Sequence, residues 1–250
     1  MGGVGDTDRR AGARTGGGPM GHALVIAHRG ASHDAPENTV AAFHLAVAQR
    51  ADMIETDLHL TRDGRVVLFH DDVLGGTPVS RLTLEEIRVR APSVPTLEEG
   101  LDAVSGALPF NLEFKSRPDE DYRGVAHAAA CIVGARDMLG RVLWSSKVGA
   151  ALEAIRAEAD GPLGIVVPRV DMLPGALARA RDLDAEGIHP NRRVVGTPDV
   201  LRRLQDEGYA VRVYTVDAPA DLERLMDWGV DGVFTNRPAL MRRLVDARAG

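Results

Sequence analysis

The sequence predicts an α/β fold in which helices cover a mostly parallel sheet, with enough strands to close an eight-stranded barrel. Three observations carry this. After residue 22, β-like and α-like segments alternate to the end of the chain. The strand segments are short and almost continuously apolar, as in LVIA and GIVV, which is the pattern of strands buried on both faces. The chain has 250 residues, a length that suits one α/β barrel.

Taken in order, residues 24–29 form the first strand, an apolar run ending in His-Arg. Residues 38–50 (NTVAAFHLAVAQR) follow as a helix with Val40, Phe43, Leu45 and Val47 on one apolar stripe. Segments 52–59 and 65–70 are strands. TRDGR between them is too short for a helix, and its Asp63-Gly64 is a hairpin-turn signal. A parallel pairing of these two strands would demand an unusually tight crossover. Residues 71–108 break the alternation with a Gly-Gly-Thr-Pro turn at 75–78, then TLEEI at 83–87 and TLEEGLDAV at 96–104, divided by Pro92 and Pro95. They read as a small insertion after the third strand, lying over one mouth of the barrel.

From residue 109 the alternation is regular, with strands at 109–115, 141–146, 162–168, 186–190, 209–216 and 231–235. The helices are 121–136, 148–159, 174–184, 198–207, 219–228 and 238–248. Pro198, Pro219 and Pro238 stand at first helical positions, where a missing N–H costs nothing. Nine strand candidates are one more than the barrel needs, so one is surplus or a local extension. No internal repeat and no linker divides residues 22–250, which read as one domain. Residues 1–21 are Gly- and Arg-rich and read as a disordered tail.

A chain of this length buries a core without disulfides. The formal net charge of −6 and the acidic pI near 5.8 argue against a nucleic-acid partner and against attraction to anionic membranes. No apolar run reaches the ~18 residues of a spanning helix, and the N-terminus lacks the apolar stretch of a signal peptide, so a cytoplasmic protein without a membrane anchor is expected. The single cysteine, Cys131, excludes a disulfide framework and reads as a small core residue. The N-terminal Gly runs are not phosphate loops, since no G-K-[ST] follows.

Chemistry concentrates at the ends of the early strands. Glu55 and Asp57 lie two apart on a strand, so their side chains point the same way, about 7 Å apart along it. Glu113 sits near the end of another strand, with Lys115 on the same face. Buried together, three carboxylates repel unless a cation joins them, and a hard-oxygen set suits Mg²⁺ or Ca²⁺ rather than zinc. His28 and His70 each end an apolar strand, and active sites of parallel barrels lie at such ends. An imidazole there serves as general acid or base. Arg29 and Lys115 are phosphate contacts by chemistry. Lysine occurs only at 115 and 147 in a chain that otherwise uses arginine, so a compact point charge is wanted at 115. His59 shares the parity of Glu55 and Asp57 and reads chiefly as barrel filling. His22, His33, His44, His127 and His189 read as structural or surface groups.

The motifs HRG (28–30), PENT (36–39), E-T-D (55–57), T-R-D-G (61–64), HDD (70–72), PTLEE (95–99), LEFK (112–115) and G-V-D-G-V-F-T-N-R-P (229–238) resemble those of the glycerophosphodiester phosphodiesterase family over about residues 24–240. The resemblance implies a (β/α)8 TIM barrel of the phospholipase-C type and a divalent cation, Mg²⁺ or Ca²⁺, held by Glu55, Asp57 and Glu113. It also implies an acid/base pair of His28 and His70, phosphate binding by Arg29 and Lys115, and a small-molecule glycerophosphodiester substrate cleaved to glycerol 3-phosphate and an alcohol. Two other readings share the motifs. A lysophospholipase D or sphingomyelinase-D-like lipase would need an apolar lip for an acyl chain, and a catalytically silent phosphodiester-binding barrel would not need two proton-transfer groups.

The chain departs from the family pattern at four places. Tyr214-Thr215-Val216-Asp217 stands where Trp-Thr-Val-Asn is usual, and Thr235-Asn236 where Thr-Asp is common. The loop after His70 is short, with GGTP in place of an Arg-Thr-Thr-type segment, and Ser146-Lys147 replaces Ser-Phe. All four fall where the glycerol or the leaving group would be held, so they bear on substrate choice.

Overall fold

The computed structural model describes residues 22–115 and 121–249; the tail read at 1–21 lies outside the described residues. Its strands are β1 (Leu24–His28), β2 (Met53–Leu60), β3 (Val66–Leu68), β4 (Val73–Leu74), β5 (Thr77–Pro78), β6 (Phe110–Phe114), β7 (Val142–Ser146), β8 (Leu163–Val167), β9 (Gly187–Pro190), β10 (Ala210–Val213) and β11 (Gly232–Thr235). The helices are α1 (Val40–Ala48), α2 (Leu84–Arg90), α3 (Leu97–Val104), α4 (Tyr122–Gly134), α5 (Gly149–Glu158), α6 (Leu173–Asp182), α7 (Arg192–Val195), α8 (Pro198–Asp206), α9 (Pro219–Asp227) and α10 (Pro238–Ala249). Eight parallel strands close a ring in the order β1, β2, β6, β7, β8, β9, β10, β11, with β11 back on β1. The expected barrel is present.

The surplus strand is β3. It runs antiparallel to β2, with Leu58 opposite Leu68 and Leu60 opposite Val66, and Asp63-Gly64 makes the turn. No tight crossover is needed, because β2 is long enough to pair with β1 through its first half and with β3 through its second. The insertion read at 71–108 is shorter than expected: residues 73–95 form the β4–β5 ribbon and α2, and Val67, Val79, Leu82, Ile87 and Val94 pack into a small apolar cluster of their own, whereas α3 joins the main core through Leu97, Leu101 and Val104. The two TLEE sequences open α2 and α3 as capping boxes. Thr83 and Thr96 accept from the N–H groups of Glu86 and Glu99, whose carboxylates accept from the threonine N–H groups in return.

The main core lies between the barrel and its helices. Phe43 of α1 meets Phe110 of β6 edge-on at 5.8 Å, and Phe114 stacks on Trp144 at 5.8 Å. Two expectations fail here. The buried face of α1 is Ala42, Phe43 and Ala46, whereas Val40, Leu45 and Val47 are only partly covered. Close approach of the β1–α1 turn requires small residues on that face, and the larger aliphatics sit on its flanks. Cys131 is exposed. The buried face of α4 is Val125, Ala126, Ala129, Ala130 and Val133, and one residue beyond Ala130 turns about 100° away from it. No helix among the described residues is long and apolar enough to cross a membrane.

Candidate active site

Along β2 alternate residues face opposite ways. Ile54 and Leu58 enter the helix-facing core, which leaves Glu55, Asp57 and His59 on the barrel interior. On the neighbouring strand Leu112 and Phe114 face the helices, so Asn111 and Glu113 point inward. Parallel register sets Asp57 beside Glu113 and His28 beside Glu55. Carboxylate oxygens of Glu55, Asp57 and Glu113 all lie within 4.8 Å of one another. All seven residues singled out in the sequence, His28, Arg29, Glu55, Asp57, His70, Glu113 and Lys115, line one cavity of about 220 Å³ in the barrel mouth. Lys147 lines it too, so both lysines of the chain are at this site.

His70 arrives by an unexpected route. It follows the antiparallel strand β3, not a strand of the barrel. The return of the chain along β2 brings it back to the level of the acids, where the Phe69 N–H donates to the Asp57 carbonyl at 3.1 Å. Its Nδ1 lies 2.8 Å from Asp71 Oδ1.

The turn after β1 is built to hold charge. Arg29 has φ 58° and Gly30 φ 80°. The Arg29 N–H donates to Glu55 Oε2 at 2.8 Å, and its guanidinium pairs with Glu37 at 2.9 Å and reaches Asp57 Oδ2 at 3.4 Å. A Cβ on Gly30 would lie 2.7 Å from Ala42 Cβ and 2.8 Å from the Ala42 carbonyl carbon. The Gly30→Ala protein is therefore expected to lose roughly 2–4 kcal/mol through overpacking and left-handed strain together, with activity falling in step. Thermal melts and turnover measured on one preparation test this, and an unchanged melting temperature would show that the turn yields freely.

Several groups in this network were not singled out in the sequence. Asn38, from the PENT motif, donates through Nδ2 to Asp57 Oδ2 at 2.9 Å and accepts from Thr56 Oγ1 at 2.7 Å. It adopts φ 54°, a conformation asparagine tolerates better than most residues. Glu37 orients Arg29. Asn236 and Asp217 were named in the sequence, but as departures at the glycerol or leaving-group position; the structure corrects that, since neither lines the cavity and both stand behind His28. His189, read as structural or surface, forms part of the cavity wall, is 1% exposed and packs against Phe234 at 5.0 Å. Gly164 makes room for it, since a Cβ there would meet the imidazole at 2.3 Å. His59 is buried and outside the cavity lining, and desolvation lowers its pKa to about 4.

The electrostatics follow from crowding three acids in a dry place. Burial, then repulsion from Asp57 and Glu113, pushes the Glu55 carboxyl well above the usual carboxylate range. Burial also pushes Glu113 up, with Lys115 opposing and Asp57 adding. Burial would raise Asp57 as well, but Lys115, Arg29 and the Asn38 hydrogen bond outweigh it and hold the carboxyl low. Lys115 Nζ donates to Asp57 Oδ1 at 3.1 Å and to Glu113 Oε1 at 3.4 Å. Burial opposes its charge, but Glu113, Asp57 and Glu55 raise the ammonium above the ordinary lysine value. His28 is lowered by burial and by Arg29, against the Asn236 hydrogen bond.

This set fits a divalent cation. Glu55 Oε1 is buried with no hydrogen-bond partner, although buried carboxylate oxygens are normally satisfied. Crowding of the three acids disfavours full ionisation, as the raised Glu55 carboxyl shows, and a divalent ion would relieve that repulsion. The donors are all oxygens, as hard cations prefer.

Residues 28–240 match the Glycerophosphoryl diester phosphodiesterase family. The chain is 30% identical to the glycerophosphodiester phosphodiesterase of Bacillus subtilis (strain 168), aligning over 88% of this chain and 86% of that protein. It is 31% identical to the enzyme of that name from Caldanaerobacter subterraneus subsp. tengcongensis, over 89% and 97%. Among solved structures it is similar to an Oleispira antarctica phosphodiesterase in complex with the product sn-glycerol-3-phosphate, with a TM-score of 0.81, 27% identity and coverage of 90% of this chain and 97% of that one.

Proposed function

This chain belongs to the glycerophosphoryl diester phosphodiesterase family, and from that premise and the geometry of the cavity we propose that it hydrolyses glycerophosphodiesters to glycerol 3-phosphate and an alcohol, with a divalent cation, Mg²⁺ or Ca²⁺, held by Glu55, Asp57 and Glu113. The observation that carries the reading is the convergence of the three carboxylates within 4.8 Å, with His28 Nε2 4.0 Å from Glu55 Oε2. A small-molecule diester suits a cavity of about 220 Å³.

Arg29 and Lys115 bind the phosphoryl oxygens from two sides and neutralise the charge that grows on them. When bound, the cation supplies Lewis-acid stabilisation of the same charge. His28 acts as general base through Nε2 and takes the proton of the nucleophile, which is water or the glycerol 2-hydroxyl by way of a cyclic phosphate. His70 acts as general acid and protonates the leaving alcohol. The Asp71 carboxylate accepts from Nδ1–H and orients the ring, so that the imidazolium form of His70 presents its Nε2–H to the leaving oxygen.

The test offers glycerophosphocholine and lysophosphatidylcholine with Mg²⁺, with Ca²⁺ or with EDTA, and follows choline and glycerol 3-phosphate. Cation-dependent release of both products from glycerophosphocholine is expected, with EDTA abolishing it. Preference for lysophosphatidylcholine would replace this reading with the lipase, and binding without turnover would replace it with the silent barrel.

A further inference from the structure

Behind His28, on the side away from the acids, the structure holds a chain of three polar groups. His28 Nδ1 lies 2.8 Å from Asn236 Oδ1. Asn236 Nδ2 donates to Asp217 Oδ2 at 2.7 Å, and the Asn236 backbone N–H donates to Asp217 Oδ1 at 2.8 Å. The Thr235 hydroxyl gives Asp217 Oδ1 a further bond at 3.0 Å. The segment that carries Asp217 is fixed to β11 by the Val216 N–H, which donates to the Phe234 carbonyl at 2.8 Å.

The chemistry of these groups leaves one arrangement. A carboxylate only accepts, so the side of the Asn236 amide that faces Asp217 must be its NH₂. The carbonyl oxygen of that amide therefore faces His28, and a carbonyl only accepts. The ring nitrogen that meets it must then carry the proton. Ser32 Oγ, 2.9 Å from Asn236 Oδ1 and 2.8 Å from the His28 carbonyl, meets two acceptors, and its single proton is consistent with the same orientation. With Nδ1 protonated, the lone pair of a neutral imidazole is on Nε2, which is the nitrogen on the Glu55 side of the ring.

We propose that Asp217 and Asn236 act as a pair of positioning residues that hold His28 as the Nδ1–H tautomer and aim its Nε2 lone pair into the cavity. What the tautomer accomplishes rests on the reading of His28 as general base; the tautomer itself does not. The pair holds one acid and one amide in direct contact, and it is the amide's neutral carbonyl that meets the imidazole.

The pairing makes single replacements unequal to the double one. In Asp217→Asn the Asn236 amide loses its acceptor-only partner. It is then free to turn its NH₂ toward His28 and favour the Nε2–H tautomer, which cannot act as a base toward the cavity. In Asn236→Asp two carboxylates meet where a 2.7 Å hydrogen bond now stands. In the double exchange, Asp217→Asn with Asn236→Asp, every donor regains an acceptor. The carboxylate introduced at position 236 accepts from His28 Nδ1–H and from the amide introduced at position 217. The carbonyl of that amide takes over the bonds from Thr235 and from the backbone N–H of position 236.

The test combines nitrogen-15 NMR of the full-length protein with kinetics. Spectra are taken without substrate at pH 8, where an imidazole of ordinary pKa is neutral, and His28 is assigned by loss of its signals in His28→Ala. The native protein is expected to show Nδ1–H. Asp217→Asn should shift the population toward Nε2–H and lower kcat roughly 10- to 100-fold, as the loss of an orienting partner does, with KM changed far less. The double exchange should restore both the spectrum and most of the lost kcat. An Nε2–H tautomer in the native protein overturns the proposal. So does a folded double variant no better than Asp217→Asn. Should Asn236→Asp fail to fold, Asp217→Asn and the native spectrum still decide. The expected tautomer in a protein that turns over no glycerophosphodiester upholds the positioning role and removes the function proposed above.

Discussion

Glu55→Gln is expected to abolish turnover and, at the same time, to raise the melting temperature of the metal-free protein. The loss follows from removing one of three oxygen ligands. A Lewis acid contributes several kcal/mol of charge stabilisation, so kcat/KM should fall by about 10³-fold or more. The gain in stability has a separate origin. Burial and two neighbouring carboxylates disfavour ionised Glu55 in the folded protein, whereas the unfolded chain ionises it freely. The folded protein binds more protons at this site between the ordinary carboxylate range and the raised value, so stability falls as pH rises through that window. A neutral Gln removes that cost, and its side-chain oxygen still accepts the Arg29 N–H that Glu55 now holds at 2.8 Å. Melts at pH 7.5 with EDTA, Mg²⁺ or Ca²⁺ provide the check. The native protein should gain stability with cation by mass action; the variant should start higher and gain little. A variant that keeps the full cation response takes Glu55 out of the metal site.

His28→Ala should lower kcat by about 10²–10⁴-fold, the usual worth of a positioned proton acceptor. KM should move far less, because Arg29, Lys115 and the acids are untouched. The division of labour between the two imidazoles is tested by the leaving group. An activated aryl leaving group departs without protonation, so His70→Ala should lose little activity on an aryl glycerophosphodiester and much on glycerophosphocholine. His28→Ala should be impaired on both. The opposite pattern exchanges the two roles.

The fold and most of the site were legible from local sequence because local chemistry determines them. Apolar runs separated by helical periods specify the barrel, and parity along β2 and β6 turns Glu55, Asp57 and Glu113 inward together. The direction of β3 was not legible, since an apolar run reads alike whichever way it is paired; only the turn at Asp63-Gly64 pointed to the antiparallel return that carries His70 into place. The Asn236 contact to His28 joins residues 208 apart in sequence, and nothing near either residue announces it. His189 sits in an apolar strand with no charged neighbour in sequence, and its place in the wall depends on Gly164 from the strand beside it. The α1 stripe failed for a related reason. Hydrophobicity ranked Val40 and Leu45 as core, while the close approach of Gly30 made Ala42 the residue that fits, and the buried face runs on through Phe43 and Ala46.

The small cluster of Val67, Val79, Leu82, Ile87 and Val94 gives the stretch after His70 a foundation of its own. His70 itself stays tied to β2 through Phe69, so residues 72–95 can lengthen, shorten or change composition while the acids keep their bonds. The stretch that most departs from the barrel's alternation is thus a separately founded annex: none of residues 72–95 lines the cavity at the barrel mouth, and its folding can be perturbed without touching a wall of the site.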